Sequence, residues 1–210
     1  MAPPPSKGGD TLDATDFIAA VSSLAAPLIP DPEALQALTA TFRLRTLGKG
    51  QHLAREGEPS NAMYFVRSGV IRYYYLVDGV EFTGQFFDEG TVSADVHAML
   101  TGGGCLQNIV AVAPSTVLEI PYTALLAAYE ADHAMERAGR RWMEEGVAGS
   151  QRRTANLLQL KPQERYARFV ATRPELARRV PQFLIASYLG ITPEALSRIR
   201  RRRLRAAPSA

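Results

Sequence analysis

The sequence predicts an α+β chain: an antiparallel β-roll, then a long helix, then an all-α helix-turn-helix unit. Three observations carry this expectation. Across residues 42–121, short apolar and aromatic runs are broken at Gly48, Gly50, Gly57, Gly69, Gly79, Gly84 and Gly90, a texture of about eight short strands closing into a small roll or barrel. No proline stands between Asp132 and Lys161, which leaves room for a helix of up to about 30 residues, ~45 Å long. Residues 181–205 read PQFLIASYLGITPEALSRIRRRRLR, two helical patterns joined by a tight turn.

Taken in order, residues 1–10 are rich in Pro, Gly and small polar side chains, so the first 15 positions are expected to be disordered. Residues 16–28 and 32–41 place apolar side chains at helical spacing, such as Phe17, Val21 and Leu24, then Leu35 and Leu38. Pro27, Pro30 and Pro32 separate the two short helices. The clearest strands are 63–66, 70–77, 80–87 and 117–120. Val77-Asp78-Gly79-Val80 is a two-residue hairpin signal, because Asp-Gly tolerates the positive φ angles that such a turn needs. Helical periodicity resumes after Tyr122, giving a β-roll unit over 16–131, a central helix over 132–160 and a helix-turn-helix unit over 161–210.

On the central helix Met143, Val147, Ser150, Thr154 and Leu157 follow alternating four- and three-residue steps. That narrow seam suits pairing with an identical helix, and so a homodimer. The alternative is one amphipathic helix packed inside a monomer. Gly139, Gly146 and Gly149 each weaken the helix by up to ~1 kcal/mol relative to Ala; they either admit a partner closely or mark a bend. Pro162 opens a helix with Tyr166, Phe169 and Val170 facing inward, and Pro174 opens a short one leading to the final pair.

Charge is divided along the chain. Residues 1–135 hold 7 Lys/Arg and 15 Asp/Glu, whereas residues 136–210 hold 17 and 6, so only the second part is suited to meet a polyanion. The N-terminal MAPPPSKGGD lacks the apolar core of a signal peptide, and no apolar run is long enough to span a bilayer. A cytoplasmic protein without membrane attachment is expected. The single cysteine, Cys105, excludes an intramolecular disulfide and a four-thiolate iron–sulfur cluster from one chain. His52, His97 and His133 are scattered rather than set at metal-ligand spacing. No metal, cofactor or catalytic residue is expected.

The final helix pair carries the chemistry. Ile185, Ala186 and Leu189 form an apolar face, and Gly190 closes the first helix in the left-handed conformation. Thr192-Pro193-Glu194 supplies an N-cap, a proline at the first helical position and an acid at the positive helix end. Leu196 and Ile199 continue the core stripe, which leaves Glu194, Ser197, Arg198 and Arg201 on the other side. A cationic second helix of this kind suits the DNA major groove. Arg200, Arg202 and Arg203 lie partly off the base-reading face and are expected to touch phosphates, with Arg201 between the two roles. The competing reading is a surface helical hairpin at a basic C-terminus, with Glu194 and Arg198 as an exposed i,i+4 ion pair.

The segments LGKGQHLAREGEPSNAMYFVRSGVIRYYY and ERYARFVATRPELARRVPQFLIASYLGITPEALSRIR together resemble the Crp/Fnr superfamily of bacterial transcription regulators. The resemblance implies a cyclic-nucleotide-binding-like β-roll and a homodimer whose recognition helices enter successive major grooves of an inverted-repeat operator. It implies a phosphate contact from Thr192 and base contacts from Glu194 and Arg198; RNA polymerase is a candidate further partner. Pro193 stands where family members often carry an arginine. In cyclic-AMP-binding members a Gly-Glu pair holds the ribose and a later arginine holds the phosphate. Aligned on Glu119-Ile120-Pro121-Tyr122, Ala94-Asp95 fall at the Gly-Glu pair, Cys105 at the arginine and Leu106 at a phosphate-binding hydroxyl. Ala94, Asp95, Cys105, Leu106 and Gln107 would thus line any effector pocket, without the guanidinium that cyclic AMP requires. The run Gly102-Gly103-Gly104 offers a weak backbone anion nest instead. Cys105 reads as a small apolar residue or a redox sensor.

The leading function is therefore a DNA-binding transcription regulator not controlled by cyclic AMP, and not an enzyme. One alternative is a sensor of an unidentified small molecule or redox signal in the β-roll. A remote one is a cupin-like barrel enzyme, which needs a convergent His/Glu set.

Overall fold

The computed structural model describes residues 13–206, with side chains for 13–203; most of the expected disordered N-terminus lies outside the described residues. Thr15 opens α1 (Thr15–Ala25), and the carboxylate of Asp13 accepts from the Thr15 amide and hydroxyl. α2 (Pro32–Thr39) follows, capped by Asp31 with Pro32 at the first helical position, where its missing N–H costs nothing.

Eight strands come next: β1 (Arg43–Leu47), β2 (His52–Ala54), β3 (Ala62–Ser68), β4 (Ile71–Val77), β5 (Val80–Phe87), β6 (Val92–Ser93), β7 (Asn108–Ala111) and β8 (Ser115–Pro121). They form two antiparallel sheets, ordered β1-β8-β3-β6 and β2-β7-β4-β5. The expected hairpin joins β4 to β5, with Val77 opposite Val80 and both Asp78 and Gly79 at positive φ. Between the sheets Tyr64, Val66, Ile71, Ile109 and Val117 pack into one core. The helix α3 (Val96–Thr101), between β6 and β7, has no counterpart in the sequence-based reading. Six residues give too little periodicity to register.

α4 (Tyr122–Ala131) leads into α5 (His133–Gln159), 27 residues long and capped by Asp132. The other carboxylate oxygen of Asp132 accepts from the Asp31 amide at 2.8 Å, fastening the start of α2 to the start of α5. Phe17 of α1 fits between Phe42, Phe65 and Trp142 in a second core. At Gly139 a Cβ would lie 2.3 Å from the Tyr129 hydroxyl oxygen, so the glycine lets α4 and α5 approach within the chain.

α6 (Pro162–Thr172), α7 (Pro174–Arg179), α8 (Gln182–Leu189) and α9 (Pro193–Ala206) complete the chain. Phe169, Leu176, Leu184, Ile185, Leu189 and Leu196 form a third core, which continues into the roll through Val70, Phe86 and Val112. Each such large apolar side chain contributes about 1.5–3 kcal/mol on burial, so the helical unit is docked on the roll rather than tethered beside it. Polar ties reinforce the seat. Ser187 Oγ accepts from the Thr83 amide at 2.9 Å and donates to the Glu81 carbonyl. Arg179 forks onto Glu89, whose other contact is the Gly69 amide.

Candidate nucleic-acid interface and effector site

The turn between α8 and α9 follows from its residues. Gly190 adopts φ 64°, its amide donates to the Ser187 carbonyl, and the Ile191 amide donates to the Ala186 carbonyl. Thr192 Oγ accepts from the Ala195 amide at 3.2 Å, the N-cap bond expected of it. Leu196 is buried against Ile185 and Leu189, and Ile199 is half-buried. That seating turns Thr192, Glu194, Ser197, Arg198, Arg200, Arg201, Arg202 and Arg203 outward, all exposed.

Glu194 and Arg198 form no ion pair within 4.0 Å among the described residues. The Glu194 carboxyl is held below the usual carboxylate range, first by its own backbone amide, then by the Thr192 hydroxyl and by the nearby Arg198 charge. Among the described residues Arg198 is thus presented without a carboxylate in ion-pair contact. Arg203 differs from its neighbours: its guanidinium lies 5.9 Å from the Tyr166 ring centroid, so it leans back toward α6.

On α5, Met143 and Val147 are exposed, at 46% and 54%, and Ser150 and Thr154 share that exposure. Leu157 does not. It is half-buried beside Gly190, at whose Cβ position its methyl would stand 3.3 Å away. Leu158, at 81% exposure, is the apolar side chain that faces out at that end. A step of four from Thr154, in place of three, would have found it.

The residues aligned with a nucleotide pocket are brought together but engage one another. The Asp95 carboxylate is buried, accepting from the Ala98 amide at 2.9 Å as the cap of α3. Its second oxygen accepts from the amides of Leu106 (2.8 Å) and Gln107 (3.2 Å). Gln107 Nε2 donates to the Ala94 carbonyl. Leu106 is exposed, and Cys105 is buried, with burial pushing its thiol pKa up; that environment suits a small apolar residue. In the glycine run the amides of Gly102 and Gly103 already have partners within the chain. The Gly102 amide donates to Ala98, Gly103 to Thr101 Oγ, and Cys105 to Glu58.

The three histidines lie apart: His52 on β2 against the Tyr74 hydroxyl, His97 exposed on α3, His133 exposed at the start of α5. Among the described residues no helix is long and apolar enough to cross a membrane.

Fold and site together define a β-roll joined by a long helix to an N-capped, arginine-rich helix-turn-helix. The family profile of the cyclic nucleotide-binding domain matches residues 44–132. Among solved structures, FixK2 from Bradyrhizobium japonicum is 21% identical, with 81% of this chain and 90% of that one aligned at a TM-score of 0.69. The c-di-GMP-responsive global regulator CLP of Xanthomonas campestris is 16% identical, covering 83% and 92%, at 0.67. A putative regulator of the Crp/Fnr family from Eubacterium rectale is 15% identical, covering 83% of each chain, at 0.66. No curated protein matches the chain by sequence. The chain has a Crp/Fnr-like fold, and its β-roll matches the profile of the cyclic nucleotide-binding domain.

Proposed function

We propose that this chain is a bacterial, cytoplasmic, sequence-specific DNA-binding transcription regulator that acts as a homodimer and does not answer to cyclic AMP. The observation that carries the reading is α9: a capped helix, seated by buried Leu196, that presents exposed Arg198, in no ion pair among the described residues, and exposed arginines beyond it. Arg198 reads guanine and Glu194 accepts from cytosine, while Thr192, Arg200 and Arg202 hold phosphates. Arg203 joins them after leaving Tyr166.

The homodimer rests on the outward Met143, Val147 and Leu158 of α5. The β4–β5 hairpin adds exposed Leu76, Val77, Val80 and Phe82 as a second apolar surface for the partner copy. Paired helices would set two α9 helices on half-sites about one helical turn apart. Cyclic AMP is refused because the Asp95 carboxylate already takes the Leu106 and Gln107 amides and Cys105 supplies no guanidinium. RNA polymerase is the further partner of such a regulator once on its operator, and no catalytic role is assigned to the chain. Selection of sites from random duplexes by the purified protein tests the reading: an inverted repeat is expected, and no enrichment would overturn it.

A further inference from the structure

A second feature lies away from the recognition helix. Where β5, α5, α6 and α8 meet, a cavity of about 340 Å³ opens between the roll and the helix-turn-helix unit. Its wall carries Arg152 and Arg153 from α5, Arg165, Arg168 and Arg173 from α6 and its C-cap, and no Asp or Glu among the described residues. None of the five arginines enters an ion pair among the described residues.

Their partners are neutral oxygens. Arg153 donates to the Tyr188 and Thr83 carbonyls, Arg165 to those of Leu157 and Leu160, and Arg173 to the Phe86 carbonyl and Gln85 Oε1. Arg168 donates only to Asn156 Oδ1, and Arg152 makes no side-chain hydrogen bond among the described residues. Arg165 Nε is buried with no hydrogen-bond partner among the described residues. Guanidinium groups stay protonated in proteins. Five of them around one concavity therefore leave positive charge that nothing in the wall offsets, and the volume falls in the range of small-molecule sites.

We propose that this cavity binds a small phosphorylated anion carrying at least two negative charges. Arg152 of α5 and Arg168 of α6 engage it by charge-assisted hydrogen bonds, and Arg165 Nε offers it a further donor. Since Arg152 belongs to the central helix and Arg165 and Arg168 to the helix-turn-helix unit, the anion ties the end of α5 to α6. Arg153, Arg165 and Arg173 tie the wall together through backbone carbonyls, whereas Arg152 and Arg168 are exposed and removable without breaking those ties.

Inorganic pyrophosphate is the probe, titrated calorimetrically into the free full-length protein at constant ionic strength. Saturable binding of one anion per chain is expected, with a dissociation constant below about 1 mM. The Arg152→Gln/Arg168→Gln protein, its thermal midpoint unchanged without anion, should bind at least about tenfold more weakly. Arg200→Gln/Arg202→Gln, on α9, should bind as the parent does. No saturable heat up to about 10 mM, or equal affinity in the α5/α6 variant, overturns the proposal. So does a loss confined to the α9 variant. If the α5/α6 substitutions spare pyrophosphate but weaken random duplex binding, those arginines grip DNA phosphates and the proposal falls. Binding is measured without DNA, so it stands or fails independently of the operator selection.

Discussion

Replacing Asp95 with alanine isolates the element that closes the loop between α3 and β7. One carboxylate serves three backbone amides, those of Ala98, Leu106 and Gln107. Asp95→Ala removes the α3 cap, about 1 kcal/mol, and strands the buried Gln107 amide and the half-buried Leu106 amide, together about 1–3 kcal/mol. The sum is about 2–4 kcal/mol. With a urea dependence of roughly 2 kcal/mol per molar for a chain of this size, the midpoint should fall by about 1–2 M. Asp95→Asn keeps one acceptor oxygen, enough for the cap or for the loop but not both, and should lose about half as much. Urea titration followed by circular dichroism measures both. A midpoint for Asp95→Ala within about 0.3 M of the parent, at an unchanged slope, would refute the reasoning and show that the carboxylate does not hold the loop closed.

Four further outcomes are expected. Calorimetry with cyclic AMP or cyclic GMP should show no binding tighter than about 10 μM, and a tighter constant would mean that the Asp95-closed loop opens for nucleotide. Val147→Glu, which puts a charge on the outward seam of α5, should reduce the light-scattering mass from about twice the chain mass to that of one chain; an unchanged mass would move the interface elsewhere. Arg198→Ala should cost about 1–3 kcal/mol on the selected operator and much less on scrambled duplex, and equal losses on both would make it a phosphate anchor. Glu89 has its pKa depressed from 4.5 to about 2, first by its hydrogen bonds from Arg179. A depressed acid adds stability above pH about 4.5 that disappears as pH falls toward 2, here under about 1 kcal/mol because the pair is partly exposed. Glu89→Gln should flatten the stability profile between pH 5 and about 3, and identical profiles would show that the Arg179 clamp is not stabilising.

Local chemistry settled much of this protein from the sequence alone. Asp78-Gly79 specifies a turn that only positive φ angles allow, and Thr192-Pro193 with Gly190 specifies where one helix stops and the next starts. Those choices depend on neighbours within a few residues, so they were legible, as was the outward face of α9. The roll was legible as texture, through glycine-broken apolar runs. Its strand order β2-β7-β4-β5 was not, because pairing partners lie tens of residues apart. Leu157 and Leu158 show the same limit at one helix turn: spacing marks both as apolar, and only the contact with Gly190 decides which turns inward. The Asp95 carboxylate reaches amides eleven and twelve residues away, and five arginines spread over 152–173 converge on a cavity completed by β5 and α8. Such sites are made by packing between distant elements, and linear spacing carries no record of that packing.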